Sequence, residues 1–202
     1  MTVFKFYLSA QVDVPNAVLQ KAGQRLTGYF NRVCQSMTPR KFTHALFKLN
    51  PHSGELGSKD LLCYITQSSM ILRMFPDAQR SGRGGGGTVE TPHGLLSEVF
   101  WTGGLRGVGS VDRQGIALAN LAFHEFAHNK YLSDRLAIQN GEKSGGVFVH
   151  SSCGMGILTG GISYGFAATA DANSDNVKAM ARVLDNENKQ YPFGLFSDET
   201  GY

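Results

Sequence analysis

Cysteine is scarce in this chain, and the scarcity narrows what it can be. Cys34, Cys63 and Cys153 are too few and too far apart in 202 residues for a disulfide framework, and the odd count leaves at least one thiol outside any intramolecular pair. The expected environment is reducing. No apolar run reaches the roughly 18 residues of a membrane span, so no membrane partner is expected. The opening MTVFKFYLSAQVDVP lacks the basic region, continuous apolar stretch and small-residue cleavage site of a signal peptide. The expectation is a cytoplasmic protein or one exported by a non-classical route. An excess of one charge is missing too. Nineteen Lys and Arg against 16 Asp and Glu leave a formal net charge of +3 without a basic run, which argues against a nucleic-acid surface. There is no internal repeat.

Glycine is what the chain has in excess. Of 25 glycines, 19 lie between Gly82 and Gly165, yet none falls from Ile116 to Asn140. With 42% hydrophobic and 17% charged residues the composition is globular. A chain of this length buries roughly 70% of its unfolded surface, which suits one domain, residues 1–202, in two lobes of about 1–130 and 131–202.

Alternating β-formers over Val3–Val12 predict a strand, and Pro15 opens a helix over Asn16–Gln35 with Val18, Ala22, Leu26, Phe30 and Val33 on one face. Phe42–Leu49 and Leu61–Ile65 read as a strand pair. The run QRSGRGGGG, Gln79–Gly87, has no side chains with which to build a core and reads as a loop. Glu98–Val108 reads as an edge or bulged strand. A helix follows over about Asp112–Lys130 with Asp112 as its cap, then a short strand at Val147–Val149 and a last helix from near Ser174. The order makes the fold α+β, a mixed sheet with a smaller, loop-rich and helical C-terminal lobe.

Inside the glycine-free helix stands His124-Glu125-Phe126-Ala127-His128, H-E-x-x-H. At about 100° per residue the two histidines point the same way from successive turns and can grip one Zn²⁺. Glu125 lies beside them, suited to take a proton from a water whose pKa the metal has lowered.

On these residues the chain resembles the zincin metallopeptidases, named for this motif on an active-site helix. The motif-level similarity covers about residues 124–155. The resemblance implies a zincin-like fold, a zinc-dependent endopeptidase activity with Glu125 as general base, and a peptide or protein substrate paired along an edge strand, for which Glu98–Val108 is the candidate. A proteinaceous inhibitor is a further implied partner. In the metzincin pattern the third ligand stands ten residues after the first histidine, here Asp134 as in snapalysin-like members, with a methionine turn at Cys153-Gly154-Met155-Gly156. Tyr131 stands where that pattern has glycine, so Asp134 reaches the metal only if the helix breaks near Asn129–Leu132. Glu142, His150, Asp171 and Asp175 remain open as third ligands, and His150, Tyr131 and Tyr164 as oxyanion stabilisers. Two other functions stay open: a toxin or effector hydrolase with a narrow or non-protein amide substrate, and a non-catalytic module with structural zinc.

Overall fold

The apolar alternation at the N-terminus becomes the inner strand of a sheet. The computed structural model describes residues 1–52, 55–57, 60–68, 80–81, 85–91, 94–128, 156–158 and 162–184. In chain order these form β1 (Thr2–Ala10), α1 (Asn16–Ser36), β2 (Phe42–Leu49), β3 (Leu61–Thr66), β4 (Arg80–Ser81), β5 (Gly86–Thr91), β6 (Gly94–Phe100), α2 (Gly103–Arg106), α3 (Val111–His128), α4 (Tyr164–Ala167) and α5 (Ser174–Leu184). The six strands make one sheet in the order β2-β1-β3-β6-β5-β4. Strands β2, β1, β3 and β6 run parallel, while β5 and β4 are antiparallel additions beyond β6.

The expected mixed sheet with helices is present, but the class is α/β and not the expected α+β, because β2, β1, β3 and β6 are parallel and a helix crosses from β1 to β2. Three local expectations need correction. Strands β2 and β3 do not pair with each other, because β1 lies between them and bonds to both. Of the glycine-rich run expected as a loop, Arg80–Ser81 form β4 and Gly86–Gly87 open β5, while Gln79 and residues 82–84 lie outside the described residues; ladder bonds come from the backbone and need no side chain. The expected edge strand over Glu98–Val108 is instead the end of an interior strand, β6, followed by the helical turn α2; the antiparallel strand beside it is β5. No helix among the described residues is long and apolar enough to cross a membrane.

Period-two alternation sends Phe4, Phe6 and Leu8 of β1 and Leu61, Cys63 and Ile65 of β3 toward the helices, where they join one core with α1 and α3. Phe30 of α1 is its centre: its ring lies 5.0 Å from Phe4, 4.8 Å from Phe6, 5.3 Å from Phe123 and 5.7 Å from Phe126. One side chain thus ties the sheet to α3. The alternate residues Tyr7, Leu62, Tyr64, Thr66 and Glu98 are buried on the other face. There the Tyr7 hydroxyl lies 3.1 Å from Asp60 Oδ2, and Thr66 Oγ1 donates to Glu98 Oε2 at 3.2 Å.

A polar network draws the later part of the chain onto the helices. Tyr29 of α1 donates to Asn120 Oδ1 of α3 at 2.7 Å, and Asn120 Nδ2 donates to the carbonyls of Ala167 and Ala170 at 2.7 and 3.0 Å. Arg25 donates to Tyr29 Oη and to the Ala170 carbonyl, both at 2.8 Å.

Replacing Phe30 by Ala is expected to cost about 3–5 kcal/mol of folding stability, read from the denaturant midpoint. The pH dependence has a definite sign. Burial pushes the Cys34 thiol from 9.0 up to about 11, outweighing the nearby Arg40, and burial raises Tyr29 from 10.0 to about 12 against the pull of Arg25. The folded state therefore holds these protons longer than the unfolded chain, and stability should fall as pH rises through these windows. Melting curves across pH 9–12 test this, and Cys34→Ala should reduce the early decline without abolishing it, because the buried Cys63 thiol is raised from the same ordinary value.

Candidate metal centre

Helix α3 carries the motif through the middle of the molecule. Ser110 caps it, its Oγ accepting the Arg113 N–H at 3.4 Å and its carbonyl the Gln114 N–H at 2.9 Å. Asp112, expected as the cap, is the second residue of the helix and pairs with Lys21 of α1 at 3.0 Å. Every residue from Ala117 to Ala127 is buried. A helix covered on all sides must give its polar side chains partners, since burial without them is costly.

His124, only 6% exposed, has its Nδ1 2.7 Å from the Ile157 carbonyl oxygen. A carbonyl only accepts, so Nδ1 carries the hydrogen and the neutral ring has its lone pair on Nε2. This is the arrangement that a metal-binding histidine uses to fix its tautomer. His128 is the last residue of α3, one turn further along the same helix face.

Glu125, also 6% exposed, lies under strand β5. A Cβ built on Gly86 would stand 2.6 Å from the Glu98 carbonyl and 3.1 Å from Glu125 Oε1, so only glycine lets the strand cross the carboxylate this closely. Gly85 extends the crossing by accepting the Phe100 N–H at 2.6 Å. On the sheet side, Ser97 Oγ of β6 donates to the Glu125 carbonyl at 3.1 Å. Burial first, then the charges of Glu125 and Glu98, push the Cys63 thiol well above its ordinary value, so it stays protonated and is no nucleophile.

His124 and Glu125 therefore sit together at the junction of α3, β5 and the Ile157 segment. The side chain of His128, and Tyr131, Asp134, Glu142, His150 and Cys153–Met155, lie outside the described residues, as does Val147–Val149. Among the described residues no three His, Cys, Asp or Glu side chains form a metal-sized group. Asp171 is exposed and pairs with Arg32 at 3.1 Å and Arg25 at 3.6 Å, which occupies it on the α1 side; Asp175 is exposed in the first turn of α5. The Tyr164 hydroxyl is 3.2 Å from Thr102 Oγ1. Ser97, Gly86 and Ile157 were not singled out as site residues from sequence. Ile157 acts through its backbone, which carries no residue-type signal, and Ser97 through a hydroxyl common on any strand; Gly86 acts through its missing side chain, a signal present in the glycine excess but not tied to this position.

One observation fits a metal ligand: the Nδ1 bond of His124 directs an imidazole lone pair away from the protein backbone that holds the ring. Gly86→Ala is expected to lift β5 off the Glu98 carbonyl, lower the melting midpoint and speed hydrogen exchange of the Phe100 amide. No family model, curated protein or solved structure matches this chain.

Proposed function

We propose that this chain is a zinc-dependent endopeptidase of zincin-like fold. The observation that carries the reading is the H-E-x-x-H sequence on an unbroken helix, with His124 tied through Nδ1 to a backbone carbonyl and Glu125 beneath a glycine strand. The antiparallel strand beside the motif helix and the following smaller helical segment agree with that fold. His124 and His128 would hold the metal, with Asp134 as the third ligand.

Zinc, when bound, supplies a Lewis acid that polarises a carbonyl and brings the pKa of water toward neutrality. The rest is the work of this chain. Glu125 takes the proton of the attacking water and returns it to the departing amine, acting as base and then acid. The cover of β5 and the burial of α3 keep that carboxylate away from bulk solvent. An extended substrate would pair along the antiparallel side of the sheet, on which β5 and β4 lie.

Glu125→Gln separates binding from chemistry. The variant should retain one zinc per chain by elemental analysis and lose roughly 10²–10⁴-fold in peptide hydrolysis. Undiminished hydrolysis, or a wild-type chain without stoichiometric zinc, overturns the reading.

A further inference from the structure

Hydrogen bonds lead from the start of α5 to the ring of His124. Asn173 caps that helix, its Oδ1 accepting the Asn176 N–H at 2.8 Å and its carbonyl the Val177 N–H at 3.0 Å. The cap fixes the first turn, and Asn176, three residues in, is wholly buried. Its Oδ1 accepts the Ile157 N–H at 3.2 Å, and the carbonyl of that same Ile157 receives His124 Nδ1 at 2.7 Å. One turn residue is thus held on its amide side by α5 and on its carbonyl side by α3.

Two further features give this link direction. Gly156 is pressed against both asparagines: a Cβ there would collide with Asn176 Oδ1 and come within 2.8 Å of Asn173 Nδ2. The backbone can approach the amides so closely only without a side chain at 156. Meanwhile Asn176 Nδ2 has no acceptor among the described residues. Burying a donor without an acceptor is unfavourable, so a position chosen for packing alone would favour an apolar residue. What Asn176 contributes is its oxygen.

We propose that Asn176 is a positioning residue for the metal centre. Through the Ile157 backbone it fixes the acceptor that keeps the proton of the neutral His124 ring on Nδ1, and so presents the Nε2 lone pair to a divalent transition-metal ion. This rests on the reading of His124 as a ligand. The physical requirement is angular: a carbonyl free to rotate with its loop would let the ring exchange tautomers and turn, whereas one anchored one residue away on a helix cap cannot.

The test begins without metal. In the full-length, metal-free chain with ¹⁵N-labelled histidine, long-range ¹H–¹⁵N spectra of the neutral ring should give a pyrrole-type Nδ1 and a pyridine-type Nε2 for His124. In Asn176→Leu both signals should move toward the averaged values of mixed tautomers, and Asn176→Asp, which keeps an oxygen acceptor in place, should restore the wild-type pattern. Gly156→Ala, whose Cβ presses on Asn176 Oδ1 and pushes the 156–157 backbone off it while leaving residue 176 itself unchanged, should reproduce the Asn176→Leu spectrum and carries the test if Asn176→Leu does not fold. Co²⁺ titration should then show affinity weakened about 10–100-fold in Asn176→Leu, with an altered visible spectrum, while the metal-free melting curve remains cooperative. An unchanged His124 tautomer in folded Asn176→Leu or Gly156→Ala overturns the role of Asn176. Failure of the wild-type chain to take up Co²⁺ or Zn²⁺ overturns the metal reading instead, and appears in a different measurement.

Discussion

Burying a histidine and a glutamate on a helix that is covered on every side is the constraint on which the other arrangements depend. Ionisable groups are kept out of water only where hydrogen bonds replace the solvent they lose. Around α3 the neighbours close in from three directions. The Ile157 carbonyl meets the His124 ring, Ser97 bonds the backbone carbonyl of Glu125, and the bare backbone of β5 lies against the Glu125 side chain. One turn earlier, Asn120 bonds Tyr29 and the carbonyls of Ala167 and Ala170. The polar side chains Asn120 and His124 are thus met by parts of the chain distant from α3.

That solution explains where glycine concentrates. A strand with side chains could not cross Glu125 at the distance observed at Gly86, and a chain with a Cβ at 156 could not reach Asn176. Helix α3 itself needs none of this latitude past Gly115, because its own geometry positions His124 and His128. The composition of the chain thus separates the element that carries the H-E-x-x-H motif from the elements that close around it.

Much of the local structure was legible in the sequence. The 3.6-residue periodicity of Val18, Ala22, Leu26, Phe30 and Val33 marked α1, and Phe42–Leu49 matched β2 residue for residue. Pairing was not legible, since local alternation is the same whether a strand bonds to its sequence neighbour or to β1. The glycine run misled because side-chain propensity says little about a segment whose stability comes from ladder bonds to β6. Helix capping passed from Asp112 to Ser110 for a similar reason: Asp112 had a competing partner, Lys21, on a helix distant in sequence. At the site, His124 and Glu125 were readable because their spacing is chemical information, whereas the Ile157 carbonyl that orients the ring could be supplied by any residue type.

The partner of the His124 ring is supplied from 33 residues further along the chain, and Asn176 reaches Ile157 across another 19. The aromatic core that joins β1, α1 and α3 is complete by Phe126. The scaffold and the orientation of the histidine are therefore set by different parts of the sequence, the second closing over the first. A chain ending near His128 contains the motif and the aromatic cluster behind it, but neither the acceptor of the ring nor the helix that anchors that acceptor. The last helix thus holds the far end of the hydrogen-bond chain on which the ring's orientation depends.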